Sequence, residues 1–270
     1  MPERPDVEDH YSAHYRDFAA DVYGEVRREA FGDDLGQNSW LTASELERFA
    51  SQLKLLPTVR VLDVGCGSGG PAVQLAQSSG CEIVGVDLFP EAVANGNRIA
   101  HEVGLEARAR FVQADASQAL PVESGSFDAI LCIDAVNHLR GRPTVFADWA
   151  RVLAPGGRLL FTDPVTVTGV LGSDELAIRT SIGYFVLVPP GENERLLNAA
   201  GLSLLSVEDT TESLAQVARR RGDARSERAE ALRPLEGDET YEGRQRFFEI
   251  VATLADERRL SRLVYLAEKR

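Results

Sequence analysis

Val61-Leu62-Asp63-Val64-Gly65-Cys66-Gly67-Ser68-Gly69-Gly70 runs an apolar strand into a single acid and then a glycine-rich turn, with Pro71 and an apolar-periodic stretch to Gln77 behind it. Glycines let the backbone turn sharply and let a ligand come close, because no Cβ stands in the way. A helix that follows such a turn aims its first free N–H groups at whatever the turn holds. The segment therefore reads as strand, ligand loop and helix, and the loop suits a nucleotide-like cofactor. Gly65, Gly67 and Gly70 satisfy the G-x-G-x-x-G spacing of dinucleotide sites. Asp63 points elsewhere: a carboxylate just ahead of the loop repels a pyrophosphate and attracts a cation.

Outward from this stretch, strands and helices alternate. Strands are expected at 59–64, 82–87, 108–113, 127–133, 158–162, 202–207 and 262–267. Helices are expected at 71–78, at 90–104 between Pro90 and Gly104, at 143–153 before Ala154-Pro155-Gly156-Gly157, and at 192–200. Near-continuous apolar strands imply a parallel sheet covered on both faces. The fold class is thus α/β, doubly wound, with a mostly parallel seven-stranded Rossmann-like sheet and helical cap insertions. Ahead of it, residues 1–57 read as a helical flap over the substrate: a helix at 8–31, a Gly- and Asp-rich loop at 31–40, and a helix to about 55 started by the capping-box pattern Thr42-Ala43-Ser44-Glu45. Residues 58–270 form the main domain. Residues 170–188 add a helix and a turn, and about 210–259 form a cap of two helices. In that cap, the run from Arg219-Arg220-Arg221 to Arg228 is an anion site or a solvated helix face.

The chain has 270 residues, 44% hydrophobic, and a formal charge of −13. That balance argues against nucleic acid, which needs clustered Lys and Arg, and against an anionic membrane surface. No apolar run approaches the about 20 residues needed to span a bilayer, and the charged residues 1–9 do not read as a signal peptide. Cys66, Cys81 and Cys132 are scattered and odd in number, with no metal-ligand spacing, so no disulfide framework, no metal site and a reducing cytoplasm are expected. The oligomeric state is not legible.

In doubly wound sheets ligands bind at the carboxyl ends of the strands. Asp63, Asp87, Asp115 and Asp134 each stand at or just after such an end. Asp87 closes Ile83-Val84-Gly85-Val86-Asp87, 22 residues beyond Gly65, where a carboxylate can accept from both hydroxyls of a ribose. With these acids, the glycine loop and the passage Arg151-Val152-Leu153-Ala154-Pro155-Gly156-Gly157-Arg158-Leu159-Leu160, the chain from about 58 to 269 resembles the class I S-adenosylmethionine-dependent methyltransferases. S-adenosylmethionine carries a sulfonium and an ammonium and no phosphate, which fits Asp63. The resemblance implies that Asp63 positions the methionine part, Asp87 the ribose and Asp115 the adenine amine. Leu88 then packs on the adenine, and Gly65, Cys66, Gly67, Ala116 and Ile133 complete the cofactor contacts.

Phe127-Asp128-Ala129-Ile130-Leu131-Cys132-Ile133-Asp134-Ala135-Val136-Asn137-His138-Leu139 carries Asp134 and His138 four residues apart. It resembles the Asp-Ala-x-x-His-Leu motif of phosphoethanolamine and related small-amine N-methyltransferases, such as the glycine/sarcosine enzymes. Methyl transfer is a displacement at a sulfonium carbon, helped by alignment, a dry site and removal of a proton. The expectation is transfer to a small-molecule acceptor, most readily an amine nitrogen, with Asp134 holding the ammonium and His138 taking the proton. Gln37, Trp40, Tyr15 and Tyr184 are candidate acceptor-binding residues, and Tyr11 or Tyr15 can close on His138. Beyond strand five, Arg179 and Tyr184 with no Lys before 269 depart from the phosphoethanolamine enzymes, and Asp163 with the overall acidity favours a cationic or neutral acceptor. Transfer to oxygen or carbon, or cofactor binding without catalysis, uses the same scaffold.

Overall fold

A computed structural model describes residues 7–270; residues 1–6 of the charged N-terminal stretch lie outside it. Seven strands form one sheet in the order β3-β2-β1-β4-β5-β7-β6: β1 (Arg60–Val64), β2 (Glu82–Asp87), β3 (Ala109–Gln113), β4 (Phe127–Cys132), β5 (Leu153–Val167), β6 (Leu202–Asp209) and β7 (Leu260–Lys269). The first five run parallel, and β7 is antiparallel to both β5 and β6. The strand order reverses between β1 and β4, which opens a crevice at their carboxyl ends.

The pleat sorts each strand's side chains to two faces. Leu62, Val64, Ile130, Leu159 and Phe161 enter one core with Phe146, Trp149 and Tyr265. Val61, Ala129, Leu131 and Leu160 enter the other with Phe49, Leu75 and Ile83. Both faces are therefore dry, which is why the strands read as apolar runs rather than as alternating ones.

The helices start where local chemistry starts them. In α3 (Ala43–Gln52), Thr42 Oγ1 accepts from the Glu45 N–H while Glu45 Oε2 accepts from the Thr42 N–H, the reciprocal cap the sequence announces. In α4 (Gly70–Ser79) and α5 (Pro90–Glu102), proline occupies the first turn.

Two segments differ from expectation. The helix expected at 8–31 is two: α1 (Val7–Arg16) and α2 (Asp21–Phe31). The chain turns at 17–20 around Phe18, which is buried with Arg27 over its ring at 4.6 Å. That turn lets α1 face the crevice and α2 the cap. The cap holds three helices, α9 (Thr211–Glu227), α10 (Ala229–Glu236) and α11 (Asp238–Asp256), because Arg228 and Gly237 leave helical geometry, Gly237 at φ +79°. Residues 170–188 contribute the expected helix and turn, α7 (Ser173–Arg179) and a turn at 180–182, before the chain returns to bridge Thr166 through Val188.

The N-terminal segment and the cap share a core. Ala30, Phe31 and Trp40 pack with Leu214, Val217, Phe247, Phe248 and Val251. Together they roof the carboxyl end of the sheet.

Beneath that roof, Arg142 at the start of α6 (Arg142–Val152) is buried with its Nη1 2.5 Å from Asp163 and 2.8 Å from the Asn193 amide oxygen. Removing one partner of a buried pair strands the other charge, at about 3–5 kcal/mol. Arg142→Met should lower unfolding free energy in urea by about that amount; a loss under about 1 kcal/mol would mean that Asp163 finds water or another donor.

Candidate active site

The crevice between β1 and β4 deepens into a cavity of about 700 Å³. Of the residues the sequence nominates, Asp63, Gly65, Cys66, Gly67, Asp87, Leu88, Asp115, Ala116 and Ile133 line it. Asp134, His138, Gln37, Tyr15 and Tyr184 border it on the acceptor side. Trp40 does not reach it; it lines a smaller adjoining chamber of about 110 Å³, which shares Asp134, His138, Gln37 and Tyr11 with the main cavity.

The glycine loop is fixed by close approach. Gly65 sits at φ +71°, and a Cβ there would overlap the Cβ of Ala135 beyond β4. Gly70, the third glycine of the spacing, serves a different neighbour: a Cβ would overlap the Leu35 carbonyl, so this glycine lets the loop at 33–41 lie against the start of α4. Asp87 Oδ2 accepts from the Gly67 N–H at 2.8 Å and Oδ1 from the Phe89 N–H at 3.1 Å, tying the loop to the start of α5. Burial raises its pKa against those backbone bonds. Asp115 is exposed at the cavity rim and also accepts from the Ser117 N–H.

Asp63 is the odd group. It is 5% exposed, and its carboxylate meets no donor among the described residues. Burial, and then the charge of Asp87, push its pKa up to about 7. An unpartnered buried carboxylate facing a large cavity is built for a cation. With Asp87 and the glycine turn beside it, the cavity fits S-adenosylmethionine.

His138 ends the short 3-10 turn Val136–His138 after β4. Its Nδ1 lies 2.8 Å from the Tyr184 carbonyl, which can only accept, so the proton is on Nδ1. Nε2 therefore carries the lone pair, and the Tyr11 hydroxyl stands 3.3 Å from it. Burial, then Arg179, lower the imidazole to about 4 against the pull of Tyr184, Asp134 and Asp163. The ring is a neutral base through the physiological range. Of the two tyrosines able to close on it, Tyr11 does so, while Tyr15 lies against Gly67.

The acceptor side differs from what the sequence suggested. Asp134 sits at φ +52°, a left-handed non-glycine backbone of the kind held at functional sites. Its carboxylate is fully engaged: it accepts from Arg262 Nε at 2.9 Å, from Thr162 Oγ1 at 2.7 Å and from the Trp40 N–H at 2.9 Å. It is a brace, ion-paired with Arg262, which also pairs with Glu45. Asp163 faces Arg142 and Asn193 in the interior, so it lends no charge to an acceptor. Gln37 braces its own loop, accepting from the Leu35 N–H and donating to the Leu41 carbonyl. Tyr184 contributes its backbone carbonyl, and its ring stacks under Arg140. Trp40 stacks on Phe247 beneath Arg221.

Arg262 and Asn137 were not singled out in the sequence. Arg262 had a visible signal, a charge at the start of an apolar strand; Asn137 had none. Among the described residues, no group of three or more His, Cys, Asp or Glu is placed to hold a metal, and no helix is long and apolar enough to cross a membrane.

The pKa of Asp63 sets a pH dependence. Below pH 7 the free protein holds Asp63 protonated, and a cationic ligand requires it ionised. S-adenosylmethionine affinity should therefore fall about tenfold per pH unit below 7, with proton release on binding. Calorimetry in buffers of different ionisation enthalpy measures both. Asp63→Asn should flatten the profile and cost about ten- to a hundredfold in affinity; an unchanged profile would remove Asp63 from the cofactor site.

Residues 62–161 match the model of a methyltransferase domain. The chain is 30% identical over 71% of its length to the 27-O-demethylrifamycin SV methyltransferase of Amycolatopsis mediterranei, covering 75% of that protein. It is 34% identical to the methyltransferase GfsG of Streptomyces halstedii, over 71% of this chain and 74% of that one. Its fold superposes on a cyclopropane synthase of Mycobacterium tuberculosis with a TM-score of 0.83 at 18% identity, over 100% of both chains. With identity of this extent added to the cavity, its acids and its glycine loop, the chain belongs to the S-adenosylmethionine-dependent methyltransferases acting on small molecules.

Proposed function

We propose that this protein methylates a hydroxyl oxygen of a small organic acceptor, with His138 Nε2 as the general base. The observation that carries the reading is the state of His138: a neutral imidazole with Nδ1–H held by the Tyr184 carbonyl and its lone pair at the junction of the two cavities. A hydroxyl needs a base at the moment of transfer, and a neutral imidazole is one. An ammonium needs a carboxylate to hold it. The carboxylate the motif offers, Asp134, is ion-paired with Arg262, and the chamber beyond is lined by arginines. The relative from Amycolatopsis mediterranei, named for a 27-O-demethyl substrate, supports transfer to oxygen.

When bound, S-adenosylmethionine supplies an electrophilic methyl group. The chain's own residues do the rest. Asp63 and Asp87 hold the cationic and ribose ends of the cofactor. The Tyr184 carbonyl fixes the tautomer of His138. Tyr11 covers Nε2 and yields it to the acceptor hydroxyl, whose proton Nε2 receives. Tyr11, Tyr15, Phe89 and Phe185 crowd around the junction and exclude water. Three buried, free cysteines support a reducing compartment.

Release of S-adenosylhomocysteine, assayed against one pool of alcohols and phenols and one pool of primary to tertiary amines, should occur in the hydroxylated pool. His138→Ala should then cut turnover by about 10²–10⁴-fold while changing S-adenosylhomocysteine affinity far less. Turnover confined to amines, or a His138→Ala enzyme with wild-type turnover, would overturn the proposal.

A further inference from the structure

Five arginines line the small chamber behind His138, against the single carboxylate of Asp134, which is already ion-paired with Arg262. Three of the five are answered locally. Arg27 pairs with Asp34 at 2.6 Å, while Arg225 and Arg244 share Glu236 at 2.7 and 2.6 Å. Arg179 and Arg221 meet no carboxylate among the described residues. Arg179 is 2% exposed; among the described residues its Nη1 has no partner, and its one hydrogen bond is a long one from Nη2 to the Pro164 carbonyl. Arg221 spends Nη1 on the carbonyls of Asn38 and Ser39 and leaves Nε unpaired. Aromatic faces cushion both: Phe185 and Phe247 under Arg179, Trp40, Phe31 and Phe248 around Arg221. Asn137, which lines the same chamber, is 1% exposed, and both polar atoms of its amide are unpaired among the described residues.

An unmatched guanidinium held in an apolar box is costly, and a buried donor without an acceptor adds to the cost. Both arginines show it: burial lowers Arg179 to about 10 and Arg221 to about 9, the latter also through its neighbours Arg225, Arg27 and Arg244. Two such groups from different elements, α7 and the cap helix α9, converge on one chamber with an unpaired amide beside them. The ligand that relieves all three is an anion with several acceptor oxygens.

We propose that this chamber is an oxyanion subsite: the acceptor carries a carboxylate or phosphate that Arg179 and Arg221 hold, with its hydroxyl presented to His138. The inference rests on the reading that the chamber takes the acceptor. It makes Arg179 and Arg221 the residues that decide specificity, and it reverses the preference for a cationic or neutral acceptor that the acidic composition suggested.

The test uses the full chain saturated with S-adenosylhomocysteine and the fluorescence of Trp40. The chain has two tryptophans; Trp149 is 1% exposed in the core, whereas the Trp40 ring lies 5.5 Å from the Arg221 guanidinium carbon. The probes are benzoate, phenyl phosphate, benzamide and benzylammonium. A saturable change is expected with benzoate or phenyl phosphate, the tighter of the two naming the anion class. Benzamide and benzylammonium should bind at least tenfold more weakly, about 1.4 kcal/mol. Arg179→Gln and Arg221→Gln should each weaken the anion at least tenfold, with Arg221→Lys restoring part of it and S-adenosylhomocysteine affinity reporting that the fold is intact. Arg221 is only half-buried, so its variant keeps the test decisive where Arg179→Gln unfolds the chain. Equal binding of benzamide, tighter binding of benzylammonium, no saturable signal up to the probes' solubility, or an unaltered Arg221→Gln protein would overturn the subsite. These probes carry no hydroxyl, so failure of the oxygen-transfer reading leaves this result standing, and failure here leaves that reading to the acceptor pools.

Discussion

One guanidinium joins the parts of this molecule that must meet at the site. Arg262 on β7 is fully buried, and its three nitrogens reach Asp134 at the end of β4, Glu45 in α3 and Thr210 ahead of the cap. Asp134 in turn receives the Trp40 N–H from the N-terminal loop and the Thr162 hydroxyl from β5. A buried ion pair is weak evidence for net stability, because desolvation takes back much of the Coulombic gain. Its value here is geometric. Five segments far apart in sequence are brought to one point, and Asp134 is kept at a positive φ that ordinary packing would not favour.

The same contact sorts the charge of the site. Without Arg262, Asp134 would attract cations into the chamber that Trp40 lines. Paired with Arg262, it leaves the chamber to its arginines, while Asp63 and Asp87 keep the neighbouring cavity negative. The two cavities meet at His138, one suited to a cationic cofactor and the other to an anionic or polar acceptor. A net charge of −13 predicts neither lining, because the field inside a cleft follows the groups that face it.

The sheet was legible in the sequence because its signals are local. Apolar runs ending in acids, proline at helix starts and the Thr42–Glu45 cap each act within a few residues. That Asp63 and the glycine turn line one cavity was legible for the same reason: they are neighbours along the chain. The acceptor side was not, since its character depends on which distant side chains face each other. Nothing near Asp134 announces Arg262, 128 residues away. The basic run in the cap reads more readily as a solvated helix face than as an anion site. The helix splits it: Arg219 pairs outside with Asp256, whereas Arg221 and Arg225 turn inward. Phe18 and Gly237 likewise broke helices that periodicity alone would have continued.

The central claim is that His138 stays neutral, with its lone pair on Nε2, because burial and the nearby Arg179 hold its basicity down while the Tyr184 carbonyl takes the Nδ1 proton. Nitrogen-15 NMR of the histidines reads this directly, and the chain has only four. Titrated with S-adenosylhomocysteine bound, His138 should show the Nδ1–H tautomer from pH 8 down to about 5 and protonate near 4. A His138 that titrates at or above the ordinary value of about 6.5, or that carries its proton on Nε2, would contradict the account.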